Sequence, residues 1–354
     1  MVLLSTTGRG VARAERDGDG AWRVERALEG ARVNALAVDP SDRRTVWAGV
    51  KAGAQGGAQG AGAGTGGSSP GGGAWRSIDG GRTWARAGLE GVTVKSLAVD
   101  PRDPRVVLAG VKPAALWITR DGGGSWSELT GFRAARRWWW WSPADPPGLV
   151  PYVSGVAISP GNPDVLVAGV ELGGVHRSDD GGRTWVGHLR GADLDCHDLH
   201  FHSRDGDWVY EAGGGGPAVS RDGGRTWHHP LEGLNGRYAM ACAADPERPE
   251  VWYVSVAPML SWRAPWRVPL AHHDGHAQAG IYRSTGGASW ERLGGGLPRP
   301  LDHMPYALVT DPERPGHLYA GLAHGQVWHT SDHGDHWTRL PVDLGGVRTT
   351  MVVA

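Results

Sequence analysis

Two cysteines in 354 residues is a small number, and it excludes a disulfide-built scaffold. Cys196 and Cys242 fall in corresponding segments of neighbouring repeats. Two reduced core thiols are expected, with a disulfide between them as the alternative. No apolar stretch approaches the roughly 20 residues of a membrane span. The N-terminus, M-V-L-L-S-T-T-G-R-G, lacks both the basic segment and the apolar stretch of a secretory leader. A cytoplasmic site is expected. Net charge is also missing: 36 basic residues face 37 acidic ones. No basic run is longer than Arg136–Arg137, so a nucleic-acid partner is not expected.

Glycine and tryptophan, by contrast, are plentiful and ordered. The phrase S-I-D-G-G-R-T-W at Ser77–Trp84 returns as T-R-D-G-G-G-S-W at Thr119–Trp126 and S-D-D-G-G-R-T-W at Ser178–Trp185. It returns again as S-R-D-G-G-R-T-W at Ser220–Trp227 and T-S-D-H-G-D-H-W at Thr330–Trp337. Worn copies stand at Glu15–Trp22, with Asp19 in a Gly position, and at Arg283–Trp290, with Thr285 in the Asp position. Each copy reads as a hairpin turn. The Asp (Asp79, Asp121, Asp180, Asp222, Asp332) accepts hydrogen bonds from backbone N–H groups just after it. The glycines supply positive φ without steric cost, and the Trp brings a large apolar surface to the next strand. Local bonding accounts for these Asp residues, so they are read as structural.

The seven Trp residues are spaced by 62, 42, 59, 42, 63 and 47 residues. The short intervals match a four-stranded propeller blade of about 40–50 residues. A second phrase precedes each turn: L-A-V-D-P at Leu36–Pro40 and Leu97–Pro101, V-A-I-S-P at Val156–Pro160, C-A-A-D-P at Cys242–Pro246 and L-V-T-D-P at Leu308–Pro312. An A-G segment follows, as at Val46–Gly49 and Val106–Gly110. One blade therefore reads strand A (L-A-V-D-P), strand B (ending in A-G), strand C (ending at the Asp turn) and strand D (starting at Trp). The chain opens without a strand A and closes on V-R-T-T-M-V-V-A at Val347–Ala354, a strand A with no blade after it. Pairing that strand with the first blade closes the ring and leaves no free sheet edge. The expectation is an all-β, seven-bladed propeller forming a single domain over 1–354, monomeric, with its termini side by side.

These turns and phrases resemble the BNR/Asp-box propeller superfamily across nearly the whole chain. Its members include sialidases, sortilin-type propellers, xyloglucanase-like glycosidases and photosystem II assembly-factor-like proteins. The resemblance is specific for fold and unspecific for chemistry. It implies that ligands bind on the face opposite the Asp boxes.

Three insertions gather on that face: the B–C loop 51–73, the D–A loop 132–150 and the B–C loop 255–280. The first is nearly pure Gly, Ala, Ser and Gln, the composition of a flexible linker. The second holds R-A-A-R-R-W-W-W-W-S at Arg133–Ser142, and four consecutive Trp (Trp139 among them) cannot all be buried by one strand face. The third carries Trp262, Trp266 and H-H-D-G-H at His272–His276. The two aromatic loops either form a binding surface or pack on one another.

A strands line the central channel, and their first residues face the same side. Aligning them brings Arg32, Asn34, Lys95, Tyr152, Ser154, Asp195, His197, Tyr238, Met240, Tyr306 and Arg348 to the mouth, with Asp302 and His303 just upstream of Tyr306. A polar, aromatic, ionisable ring suits a binding site, although polar channels are also ordinary in propellers. The fifth blade departs from the others, reading D-C-H-D-L-H-F-H-S at Asp195–Ser203. Strand alternation sends His197 and His200 to opposite faces. Asp195 and His197 face alike.

Three functions compete. The first is hydrolysis, or simple binding, of a small polar or sugar-like ligand. Tyr152, Tyr238 or Tyr306 would be the nucleophile, Asp195 or Asp302 the acid/base, and His197 a further proton carrier. Arg32, Asn34, Lys95, Tyr152, Trp139, Trp262, Trp266, His273, His303 and Arg348 would bind the ligand. The sialidase F/Y-R-I-P signature is absent, so a sialidase proper is not expected. The second is a non-catalytic assembly propeller holding a partner protein through its Trp-rich loops and Arg133, Arg136 and Arg137. The third is a divalent-metal enzyme with His197, His303 and His276 as candidate ligands. No cofactor is required by the sequence, and no HExxH motif supports the third.

Overall fold

A computed structural model describes residues 1–53, 71–135, 150–259, 269–286 and 289–354. Seven antiparallel sheets follow one another along the chain. The inner strand of each touches the inner strand of the next, and the last touches the first, so they form a ring of seven blades. Six sheets have four strands. The fifth has three, Cys196–Phe201, Val209–Gly213 and Gly216–Ser220. Its outer strand shrinks to a single bridge between Val219 and His228. Pro230, two residues on, has no N–H to extend the ladder.

Ring closure follows the sequence expectation. The last strand, Met351–Val353, pairs antiparallel with Val2–Thr6 in the register Leu3 to Val353, Leu4 to Val352 and Ser5 to Met351. The Ser5 hydroxyl donates to the Gly346 carbonyl at 3.1 Å. The Thr6 and Thr349 hydroxyls lie 2.9 Å apart. Residues from the two ends of the chain thus share the first blade.

The second strands of the blades, such as Val46–Val50, Leu166–Val170 and Leu318–Leu322, are buried along their whole length. They are packed on both faces by neighbouring blades, which is why they read as unbroken apolar runs. The glycine of the A-G phrase is a close-approach position. A Cβ at Gly49 would lie 2.7 Å from the Val94 side chain, and one at Gly110 would lie 2.6 Å from that of Val153. Each glycine admits the inner strand of the following blade.

The Asp boxes satisfy themselves. The Asp79 carboxylate accepts the N–H groups of Arg82 and Thr83 at 3.0 and 2.9 Å and the Thr83 hydroxyl at 2.6 Å. The Ser77 hydroxyl donates to Asp79 at 2.7 Å and accepts the Gly81 N–H at 2.8 Å. The same pattern recurs at Asp121, Asp180, Asp222 and Asp332. These bonds stabilise the ionised form and hold Asp121 and Asp180 down at about 2. The indole N–H of Trp84, Trp185, Trp227 and Trp337 donates to the second box glycine within its own turn. Trp126 and Trp290 instead reach back to the Ala87 and Pro230 carbonyls of the preceding blade.

The described ends of the three insertions leave the blades at B–C and D–A connections, at the strand ends opposite these turns. The second begins as a short helix, Thr130–Ala134, rather than as irregular loop. Phe132 is its buried anchor, 5.2 Å edge-on from Trp185. Both cysteines are free and buried. No helix among the described residues is long and apolar enough to cross a membrane.

Candidate functional site

Every inner strand of blades two to seven carries a β-bulge at its second or third position. The bulged residues are Asn34, Lys95, Ser154, His197, Met240 and Tyr306, and the phrase alignment adds Thr349 for the first blade. A bulge re-aims a side chain that strict pleating would send elsewhere. All seven residues line one central cavity of about 580 Å³. Four of them also stitch their blade to the next, Thr349 by donating to the Asn34 carbonyl at 2.6 Å. Asn34 donates to the Val94 carbonyl at 2.9 Å, Ser154 to that of Cys196 at 2.6 Å, and the His197 Nδ1 to that of Ala239 at 2.7 Å.

One side of the mouth is acidic and aromatic. His197 Nε2 lies 3.4 Å from an Asp195 carboxylate oxygen, and its ring is 4.8 Å from that of Tyr238. The Tyr238 hydroxyl meets His272 Nε2 at 2.9 Å, and His272 Nδ1 meets the Tyr306 hydroxyl at 2.9 Å. The His272 imidazole therefore bridges blades six and seven, delivered by the 3₁₀ turn Leu270–His272 of the third insertion. Burial would push His197 down, but the Asp195 hydrogen bond and charge and the Ala239 carbonyl outweigh it and hold its pKa up. His272 moves the other way, lowered by burial and by the charge of His197. Glu171 is raised by burial and by the charge of Asp195. The arrangement sets a carboxyl that holds its proton more tightly than usual beside an imidazole that does the same, which suits proton exchange with hydroxyl groups.

The other side of the mouth is basic. A cavity of about 860 Å³ is lined by Arg9, Arg32, Lys51, Lys95, Lys112 and Arg348, with Tyr152 and, among the described residues, no acidic one. The Lys95 ammonium sits 4.0 Å from the Tyr152 ring centre, and that of Lys112 sits 5.5 Å from it. Burial lowers Lys95 to about 8, and the charges of Lys112 and Lys51 add to the shift, against the opposing pull of Glu171.

The histidines of blade five form a ladder onto blade six. His197, His200 and His202 meet the carbonyls of Ala239, Cys242 and Asp245 at 2.7, 3.0 and 2.9 Å. Asp198 lies 3.0 Å from His200 Nε2 and accepts the Cys242 N–H at 3.1 Å. The expectation that His197 and His200 point to opposite faces is corrected here. The bulge at His197 breaks the alternation, and both line the central cavity. Asp198, His200 and Cys242 are the one set of three potential metal ligands among the described residues, with ligand atoms within 4.8 Å of one another. Burial raises the Cys242 thiol to about 11, so it is a poor ligand as it stands.

The structure thus brings Asp195, His197, Tyr238 and Tyr306 together, and Lys95, Tyr152, Arg32, Asn34 and Arg348 beside them. It does not bring Asp302, His303, His273 or His276 into either cavity. Asp302 is exposed. His303 pairs with Asp274 at 2.7 Å and lies 3.8 Å, ring to ring, from His324. His273 and His276 are exposed. The metal set His197, His303 and His276 is not assembled. Arg133 forms an ion pair with Glu128. Trp139, Trp262, Trp266, Arg136 and Arg137 lie outside the described residues.

Sequence reasoning missed Lys51, Lys112 and Glu171. They occupy one position, directly after A-G-V, in three consecutive blades: A-G-V-K at Ala48–Lys51, A-G-V-K at Ala109–Lys112 and A-G-V-E at Ala168–Glu171. That position is the mouth end of the second strand. A second signal was scarcity: the chain has three lysines, and all three line the basic cavity.

No protein-family model and no curated protein matches this chain. Solved structures do. The GH74 xyloglucanase from Xanthomonas campestris is 21% identical with a TM-score of 0.63, over 99% of this chain and 52% of the enzyme. The chain thus spans about half the length of that enzyme. YCF48 from Cyanidioschyzon merolae is 14% identical with a TM-score of 0.55, over 90% of this chain and 87% of YCF48. A YCF48 bound to a D1 peptide is 16% identical with a TM-score of 0.51, over 87% of this chain and 82% of that one. These likenesses establish the architecture: a seven-bladed β-propeller of the kind that GH74 enzymes and YCF48, a photosystem II assembly factor, share.

Proposed function

We propose that this propeller binds a small, polar, sugar-like ligand at the channel mouth opposite the Asp boxes. The observation that carries the reading is the convergence of Glu171, Asp195, His197, Tyr238, His272 and Tyr306 from four blades at one opening. Ionisable groups that perturb one another in a cleft mark functional sites more often than chance. Ring nitrogens, hydroxyls and carboxyls together match the hydroxyl pattern of a sugar. Glu171 and Asp195 also supply the two carboxyl groups that glycoside cleavage uses, and burial raises Glu171, the direction that suits a general acid. Hydrolysis is the natural extension of binding here, and the xyloglucanase likeness gives a fold precedent for it.

The test is a thermal-shift screen of the full chain against neutral and acidic mono- and oligosaccharides, followed by product analysis for each hit. A ligand that binds only the folded state raises its apparent stability. Glu171→Gln and Tyr238→Phe are expected to remove the shift. A hit whose shift survives both changes would place the site elsewhere.

The likeness to a peptide-bound YCF48 favours a second reading, a propeller that holds a partner protein. A peptide-array screen decides between them: a peptide hit that Glu171→Gln and Tyr238→Phe leave intact supports the second.

A further inference from the structure

We infer that the ligand carries an anionic group, a phosphate or a carboxylate, and that this group docks on the chain's three lysines. The inference builds on the proposed ligand site at the mouth and names the chemistry of its basic half. Lysine is otherwise excluded from this protein, where arginine supplies every other cation outside histidine. Yet Lys51, Lys95 and Lys112 come from two blades into one cavity of about 860 Å³, together with Arg32 and Arg348.

Like charges in one cavity repel, and the repulsion is felt: Lys51 and Lys112 both help to depress Lys95, and Lys51 helps to depress Lys112. The Tyr152 ring offsets part of this through its face. Among the described residues, no carboxylate lines the cavity. Among the described residues, Lys51, Lys95, Arg32 and Arg348 make no ion pair, although arginines elsewhere on the surface do. Glu171, in the adjoining central cavity, pulls on Lys95, and burial raises its own carboxyl. A cluster of cations with no acid among its lining residues is complementary to a multiply charged oxyanion. Lysines bind such groups as movable point charges, and the two outer ones stand at strand ends where their stems can adjust. The anionic group would sit over Tyr152 between blades two, three and four, with the uncharged part of the ligand reaching Glu171 and Tyr238.

The experiment is calorimetric titration of the full chain with pyrophosphate and with citrate at low salt. Both are expected to bind, and affinity should fall as salt rises. The double change Lys51→Met with Lys112→Met is expected to weaken binding at least about tenfold, while Lys51→Arg with Lys112→Arg, which keeps the charges, holds it within about threefold. Binding of pyrophosphate alone identifies a phosphoryl ligand, and of citrate alone a carboxylate ligand. Absence of binding of both by the wild type, or equal binding by the Met variant, overturns the inference. Should the Met variant fail to fold, acetylation of the wild type read by mass spectrometry replaces it. Pyrophosphate or citrate should slow modification of Lys51 and Lys112, and no protection overturns the inference. Pyrophosphate and citrate carry no sugar part, so their binding is read apart from the sugar-dependent thermal shift. Anion binding without any sugar-dependent shift would therefore defeat the sugar-site reading and spare this one, and the reverse pattern would do the opposite.

Discussion

The Lys95 ammonium lies over the face of Tyr152, 4.0 Å from the ring centre, Lys95 on one inner strand and Tyr152 directly before the next. This contact ties the third blade to the fourth at the mouth. It also seats the amine against an aromatic face. Burial lowers Lys95 from 10.5 to about 8, and the charges of Lys112 and Lys51 add to the shift. Its proton should come off near pH 8, which NMR of a protein with three lysines can resolve directly. Lys51→Met removes a like charge and should move the midpoint upward. The sign for stability follows. Between about pH 8 and the ordinary lysine value, the unfolded chain holds the proton and the folded chain has released it. Stability from this group therefore grows as pH rises through that window. Urea midpoints measured across it should increase for the wild type more than for Lys95→Met.

The His200 pair gives the opposite slope. Burial would push its pKa down, but the Asp198 carboxylate and Cys242 outweigh it and hold His200 well above the ordinary histidine value. A raised histidine stabilises the folded state fully below its unfolded pKa, and that contribution fades as pH rises through the folded value. The His200 side chain is 44% exposed, so solvent screens the pair. His200→Ala should cost about 1 kcal/mol through the lost hydrogen bonds. The cost should shrink at alkaline pH in urea unfolding. An equal cost at every pH would mean that shape, not charge, fixes the ladder.

How far the sequence reaches can be traced through particular residues. The Asp turns and the L-A-V-D-P phrases carry the ring, its blade count and its closure, because each is a local rule repeated. The phrase alignment also brought Asn34, Lys95, His197 and Tyr306 to the mouth. It failed at His197 and His200, because alternation assumes an unbroken pleat and the bulge is set by pairing with the neighbouring strand. His303 and Asp302 were judged by their distance along the chain from Tyr306. The chain turns away there, and His303 finds Asp274 and His324 instead. Glu171, Lys51 and Lys112 escaped notice because only the ring as a whole brings the ends of separate second strands to one rim.

The Asp boxes predict an asymmetric response. Asp79→Ala leaves the Arg82 and Thr83 N–H groups and the Thr83 hydroxyl without their acceptor. The turn is largely solvated, so the expected loss is about 1 kcal/mol rather than several. Ligand binding at the far face should not change. Held down at about 2, Asp79 keeps contributing until the pH falls through that value. Denaturant titration between pH 5 and 2 (values chosen to bracket the ordinary carboxylate range) should show the mutant approaching the wild type at the acid end. A binding defect in Asp79→Ala with the fold intact would contradict the separation of the two faces.

Ring closure makes the strongest demand on the fold. The pairing of Leu3, Leu4 and Ser5 with Val353, Val352 and Met351 gives the first blade its inner strand. Removing residues 347–354 would uncover the buried Leu3 and the edge of Val2–Thr6 together. An unpaired edge beside exposed apolar surface invites strand addition from another molecule. The shortened chain should therefore unfold at lower denaturant and associate at concentrations where the whole chain does not. A gentler variant isolates the polar part: Thr349→Val removes the hydroxyl that contacts Thr6 and donates to the Asn34 carbonyl at 2.6 Å. It should cost about 1 kcal/mol without association. Light scattering with urea unfolding separates the two outcomes, and a shortened chain that stays monomeric and equally stable would mean that the ring holds without its clasp.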